Sequence, residues 1–302
     1  MRGKMNLLEC VPNISEGKDQ KLVNSLVQAV KSVRGVWFLH VTSDPDHNRS
    51  VLTFAGTPEG VLQAALASCS MAVEHIDMRN HRGVHPRLGA VDVVPFVPLG
   101  RLPMARAVET SHEFGKQFSS RYEIPVYFYG EAARTAERIP LEVVRRGGYK
   151  GLRDKLKDPR WMPDEGPCRF NEKSGGTAVG ARGILIAFNV NLATQDLESA
   201  RAIARAVRAR DGGLPAVKAI GVELRSRRMV QVSVNLVNYK ITSWSLVVQR
   251  IAEAARNRGL QVSDLEIIGL VPREATRELE QSGVPLSSTW RQQILEETLT
   301  DF

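Results

Sequence analysis

Gly183-Ile184-Leu185-Ile186-Ala187-Phe188-Asn189-Val190-Asn191-Leu192 opens the most legible part of the chain. It reads as a β-strand, with Phe188 and Val190 on one face and Asn189 and Asn191 on the other. Working outward, 195–210 has helical spacing, 216–225 and 229–238 read as strands, 243–258 as a helix and 261–270 as a strand. The order β-α-β-β-α-β is the split βαβ arrangement, which builds a four-stranded antiparallel sheet with two helices on one face. Segments 272–281 and 288–300 read as helical additions. Two amides on one face of an apolar strand mark either a polar site or a satisfied buried pair.

Towards the N-terminus the order is looser. Residues 6–12 read as a strand, 19–33 as a helix stopped by Gly35, and 36–42 and 50–55 as strands. Thr57-Pro58-Glu59 is a helix start, with a hydroxyl cap, proline in the first turn and an early acid, and that helix runs to about Asp77. A strand at 91–97, a helix at 103–121, a strand at 125–129 and helical pieces at 131–137 and 140–156 follow. Segment 158–182 is rich in proline and glycine and reads as a long connection; such stretches in compact proteins are usually functional or linkers. The fold class is α/β (α+β) in two subdomains, 1–181 and 182–302, each a mixed or antiparallel sheet covered by helices.

Composition narrows the class. The 302 residues are 43% hydrophobic and 25% charged, an ordinary globular profile, and no apolar run approaches the roughly 20 residues of a membrane span. The basic N-terminus is followed by an apolar stretch too short for a signal peptide and cut by Glu9. Cys10, Cys69 and Cys168 are widely spaced with no CxxC, which fits a reducing cytoplasm. The net charge of +8 suits nucleic acid or small polyanionic substrates equally. RNA-recognition sheets need exposed aromatics on their inner strands, and 229–238 has none, so no nucleic-acid partner is expected.

The chemistry concentrates in Ile76-Asp77-Met78-Arg79-Asn80-His81-Arg82-Gly83-Val84-His85-Pro86-Arg87-Leu88-Gly89-Ala90-Val91-Asp92. Glycine and proline bar a regular helix there, and an imidazole can both take and give a proton near neutrality. His81 and His85 are equally well read as plain loop residues. The His-x3-His spacing suits a metal on a helix, but Gly83 and Pro86 interrupt it and no third ligand is evident. Asp44, Asp46, His47, Asn48 and Arg49 form a second cluster whose plain reading is a turn. Arg49 and Arg87 are candidates to pair with carboxylates or, singly, ordinary surface arginines. Gly166–Gly175 permits close approach to a ligand or serves as a linker.

Several stretches together resemble the formiminotransferase domain of the glutamate formiminotransferase family. They are Glu9-Cys10-Val11-Pro12-Asn13 with Ser15-Glu16-Gly17, Asn48-Arg49 with Thr53-Phe54, and Ile76-Asp77-Met78. The match continues through Gly83 with His85-Pro86-Arg87 and Gly89-Ala90-Val91-Asp92-Val93, then Tyr129-Gly130-Glu131-Ala132-Ala133-Arg134. Trp161, Pro163-Asp164, Gly166-Pro167, Gly180-Ala181-Arg182 and Leu185-Ile186-Ala187-Phe188-Asn189 complete it. The resemblance covers most of 5–270 and implies formimino transfer from N-formimino-L-glutamate to N5 of tetrahydrofolate, a step of histidine degradation and one-carbon metabolism. It implies His85 as the catalytic residue and Gly166, Pro167, Cys168, Arg169, Phe170, Asn171, Glu172, Lys173, Ser174 and Gly175 as the folate-contacting segment. It further implies substrates held between the subdomains, a homodimer formed through the first, no permanent cofactor, no metal and no membrane partner. The cyclodeaminase half found in the animal proteins is not expected in this chain. Handling of 5-formyltetrahydrofolate or N-formyl-glutamate by the same site is the alternative. The chain departs from the animal members at Val84, in the loop 43–47, and at Arg169, Asn171, Glu172 and Lys173.

Overall fold

The computed structural model describes residues 6–277, 279 and 282–299. They divide into two compact units, with the boundary between Arg182 and Gly183.

The first unit runs β1 (Leu7–Cys10), β2 (Asn13–Ile14), α1 (Gln20–Lys31), β3 (Val36–Asp44), β4 (Arg49–Gly56) and α2 (Pro58–His75). It continues with β5 (Val91–Leu99), α3 (Met104–Tyr122), β6 (Val126–Gly130), α4 (Leu141–Val144), α5 (Gly148–Lys155) and β7 (Thr177–Ala181). Local chemistry sets the helix starts. The Asp19 carboxylate accepts from the Lys21 and Leu22 amides ahead of α1, and the Thr57 hydroxyl accepts from the Gly60 amide ahead of α2. The short strands β1 and β2 both lie between β4 and β5, all antiparallel, with β3 outside β4. β7 pairs in parallel with both β5 and β6. One face of this mixed sheet packs Leu8, Cys10, Leu52, Phe54, Val94 and Phe96 against Leu26, Val61, Cys69, Phe114 and Phe118 of the helices. The other face packs Val93, Tyr127, Tyr129 and Ala178 against Val144, Leu152 and Leu156.

The second unit runs β8 (Ile186–Leu192), α6 (Leu197–Val207), β9 (Val217–Leu224), β10 (Met229–Leu236), α7 (Trp244–Arg256), β11 (Val262–Ile268) and α8 (Leu295–Thr298). The sheet order is β11-β8-β10-β9, antiparallel throughout, as the β-α-β-β-α-β reading requires. Phe188, Val190, Val232 and Val234 face Ile203, Val207, Trp244 and Ile251 in one core. Asn189 and Asn191 are a satisfied pair on the opposite face: Asn191 donates to Asp264 (2.7 Å) and accepts from Gln231 (2.8 Å), and Asn189 donates to Glu266 (3.3 Å).

Three expectations change. The helix expected at 131–137 is a turn leading into a single 3₁₀ turn, Ala136–Arg138. The helix expected at 140–156 is broken into α4 and α5, because Gly147 and Gly148 sit at φ +86° and +59°. The connection 158–182 holds a whole strand, β7, in the interior of the sheet. Its residues Thr-Ala-Val-Gly-Ala are small because the neighbouring strands leave little room: a side chain at Gly180 would run into the Tyr129 ring. The C-terminal additions are short turns at Arg273–Thr276 and Trp290–Gln293 plus α8, and 278, 280, 281 and 300 lie outside the described residues.

Phe188 is fully buried, with its ring centroid 5.5 Å from that of Trp244. Phe188→Ala is therefore expected to destabilise the second unit by about 3–5 kcal/mol, read as a lower urea midpoint at unchanged slope.

Candidate functional site

The site is organised by a carboxylate displaced from the regular pattern of a strand. Asn13 pairs with Val93 and Ile14 with Val91, so Asp92 is the extra residue of a β-bulge in β5. Bulges re-aim side chains, and Asp92 is turned, fully buried, towards two arginines. Its Oδ2 accepts from Arg49 Nη1 (2.5 Å) and Arg145 Nη2 (2.8 Å), and its Oδ1 accepts from the Leu88 amide (2.7 Å). Burial alone would push this carboxyl up. The two guanidiniums and the amide outweigh it and hold Asp92 below the ordinary carboxylate value. Arg49, at the start of β4, also donates to Asn13 Oδ1 (2.6 Å). Arg145, just past α4, also donates to the Pro86 carbonyl, and its Nε is buried with no hydrogen-bond partner.

His85 lies beside this cluster. Its Nδ1 is 2.8 Å from the Pro86 carbonyl oxygen. A carbonyl can only accept, so Nδ1 carries the proton and Nε2 keeps its lone pair. Nε2 has no hydrogen-bond partner among the described residues. Removal from water, then the positive charges of Arg49 and Arg145, then His47 hold the ring well below the ordinary histidine value of 6.5. His47 stacks on it with centroids 5.6 Å apart and planes 30° apart. His85 is thus a neutral imidazole with an available basic nitrogen.

The other loop residues brace this arrangement. His81 Nε2 donates to the Asn48 carbonyl (3.1 Å), so its Nδ1 accepts from Arg87 Nη1. Burial and the Arg87 charge hold His81 at about 4. Arg87 also donates to the His85 carbonyl (3.0 and 2.7 Å) and to Gly83 O. The turn 44–49 clips on through Val84 N to Asp46 O (3.1 Å) and Asn48 Nδ2 to Arg82 O (2.9 Å).

Gly166–Gly175 runs next to the same loop. The Ala90 amide donates to Ser174 O (2.8 Å), the Gly176 amide to Leu88 O (3.2 Å) and the Met78 amide to Lys173 O (2.8 Å). A side chain at Gly89 would collide with the Ser174 and Gly176 backbones, so the two segments touch only because position 89 is bare. Asn171 closes the segment's own turn, accepting from the Ser174 amide on Oδ1 (2.9 Å) and the Gly175 amide on its carbonyl (2.7 Å). The Tyr149 hydroxyl donates to Glu172 O (2.5 Å), and the Tyr149 and Phe170 rings sit 5.2 Å apart. Arg169 pairs with Glu123 (2.9 Å), and Cys168 Sγ donates to Leu156 O (3.2 Å). Gly166 takes φ +85°, which brings its backbone against Ile124 O; Pro167 follows it on the way to Cys168.

The structure therefore gathers His85, Arg49 and Arg87 and sets Lys173, Ser174 and Gly175 beside them, with Gly166 to Cys168 further off against Ile124 and Leu156. Four participants were missed. Arg145 was hidden in an expected helix and Asn13 in the run after β1, while Asp92 and His47 stood inside stretches singled out above but were given no role there. Arg49 donates to Asp92 and Asn13, and Arg87 to His81 and to the carbonyls of Gly83 and His85. Among the described residues no group of three or more His, Cys, Asp or Glu is placed to hold a metal ion, and no helix is long and apolar enough to cross a membrane.

A family model described as the formiminotransferase domain, N-terminal subdomain, matches residues 7–182, and one described as the formiminotransferase domain matches 187–282. A glutamate formimidoyltransferase of Thermoplasma acidophilum is 42% identical over 294 residues, covering 97% of this chain and 97% of that protein. One of Streptococcus pyogenes is 39% identical, covering 97% and 98%. A formimidoyltransferase-cyclodeaminase of Sus scrofa is 41% identical over 275 residues, which span 51% of that protein.

Asp92→Asn leaves two guanidiniums facing a neutral amide, and breaking such a buried pair costs about 3–5 kcal/mol. The sign with pH follows from the lowered folded value. Asp92 stabilises the fold above the unfolded value of 3.8, and that contribution fades as pH falls below it. Acid unfolding monitored by circular dichroism is expected to lose this component in the variant. Nitrogen-15 spectra are expected to show His85 as the neutral Nδ1–H form at pH 6.5, where an ordinary histidine is half charged.

Proposed function

The chain belongs to the formiminotransferase family, and on that premise we propose that it transfers the formimino group of N-formimino-L-glutamate to N5 of tetrahydrofolate, releasing 5-formiminotetrahydrofolate and L-glutamate. The observation that carries the reading is His85, neutral and with its Nε2 lone pair uncommitted, on a loop held on several sides.

The reaction needs one proton moved. N5 attacks the amidinium carbon and forms a tetrahedral adduct in which N5 is positively charged. His85 Nε2 takes the N5 proton. The imidazolium then gives that proton to the glutamate nitrogen, the carbon–nitrogen bond breaks, and glutamate leaves with His85 restored to neutrality. A low imidazole value suits both halves: the ring is free to accept at neutral pH, and once charged beside Arg49 and Arg145 it is a strong acid. The bond from Nδ1 to Pro86 O fixes which nitrogen works. Asp92 offsets the two guanidiniums so that they can stay packed near the ring.

The segment Gly166–Gly175 contacts the folate in this reading, supported by its hydrogen bonds to Ala90 and Met78, on either side of His85. Arg49 and Arg87 hold the loop and are the groups that would meet the substrate carboxylates. Tetrahydrofolate is a co-substrate, with no metal or resident cofactor. The enzyme acts in the cytoplasm, as a homodimer through its first unit, in histidine breakdown and one-carbon supply.

His85→Ala is expected to lower kcat by about 10²–10⁴-fold with little change in Tm, since the ring is only half-buried. Near-normal turnover of formimino-glutamate with tetrahydrofolate by this variant overturns the assignment. Rates with N-formyl-glutamate and 5-formyltetrahydrofolate measured alongside decide the donor, and formimino-glutamate is expected to be fastest.

A further inference from the structure

On the first sheet, the face turned away from α1, α2 and α3 carries polar groups that the protein leaves without partners. Glu9 lies between Leu8 and Cys10, which belong to the helix-side core, so by strand alternation it points to the opposite face. It is 6% exposed, and among the described residues its carboxylate enters no ion pair and no side-chain hydrogen bond. Thr53, between Leu52 and Phe54 of the same core, points the same way; it is 1% exposed, and its Oγ1 has no partner. Glu9 pairs with Ala55, two residues from Thr53, so the two side chains are diagonal neighbours. Arg182 stands near enough for its charge to act on Glu9.

We propose that Glu9, with Thr53 beside it, binds the amino-amide edge of the pterin ring. This rests on tetrahydrofolate being the acceptor. A carboxylate offers two oxygens side by side, which match two parallel N–H donors. The pterin presents such a pair in its N3–H and 2-amino group, and the second 2-amino hydrogen is left for Thr53 Oγ1 to accept. The amidinium of formimino-glutamate carries similar donors but must lie at His85. Glu9 pairs with Val97, five residues along β5 from Asp92, or about 17 Å at 3.4 Å per residue. That span excludes one small group serving both places. This carboxylate is costly to bury. Burial, against the pull of Arg182, raises it to about 7, so the folded state holds its proton more tightly than the unfolded chain, and the ionised form destabilises the fold above that pH. A carboxylate kept at such a cost suits a role in binding rather than in folding.

The test is Glu9→Gln. KM for tetrahydrofolate is expected to rise about 10–100-fold, the loss of hydrogen bonds to a charged group, while kcat and KM for formimino-glutamate hold. Tm above pH 7 is expected to rise, whereas a purely structural carboxylate would give a fall. Wild-type protein should lose a similar factor with 2-desamino-tetrahydrofolate, and the variant should hardly distinguish the two folates. An unchanged KM for tetrahydrofolate, or wild-type protein that accepts the 2-desamino compound equally well, overturns the proposal. If Glu9→Gln does not fold, Thr53→Val and the wild-type comparison of the two folates give the same decision. If wild-type protein shows no transfer, the functional reading fails by itself. Calorimetric titration with tetrahydrofolate then decides Glu9: binding that weakens in the variant sustains it, and no binding overturns it.

Discussion

One buried carboxylate between two guanidiniums holds the site together. Asp92 has no access to water, and Arg49 and Arg145 reach it from distant parts of the chain, the first at the head of β4 and the second beyond α4. Without Asp92 the two positive charges would repel each other in a poorly solvated space. With it, they fix the ends of three segments at once, because Arg49 also holds Asn13 and Arg145 also holds the Pro86 carbonyl. The bulge in β5 makes this possible, since a regular strand would not have turned Asp92 in this direction.

His85 inherits its chemistry from that arrangement. Its proton position follows from a backbone carbonyl, and its low basicity follows from poor solvation beside net positive neighbours. The two histidines of the loop have therefore separated in role. His81 has both ring nitrogens committed, one to Asn48 and one to Arg87, and serves as a brace. His85 has one nitrogen committed and one available. Two residues of the same type four positions apart differ because of what their second nitrogen meets.

The supports of the loop are mostly backbone. Leu88, Ala90 and Met78 bond to the turn and the residues after it at 173–176, and the bare Gly89 allows the approach. Backbone contacts of this kind tolerate side-chain change, and the path of the segment is fixed by Gly166 and Gly175, both at positive φ.

The sequence by itself determined the β-α-β-β-α-β unit, because alternating valines and capped helices are local signals that survive in the folded chain. It also singled out the loop at 76–92 as the candidate site, through its residue types. It did not reveal β7, whose Thr-Ala-Val-Gly-Ala lacks bulky residues because neighbouring strands supply the bulk. Nor did it reveal Arg145 as a partner of Asp92, 53 residues away, in a stretch read as one helix until two glycines at positive φ divided it. Periodicity and caps are written in short-range contacts. The pairing of a buried charge, the direction of a bulged side chain and the basicity of a histidine are set by whatever the fold brings alongside, and only the tertiary structure decided those.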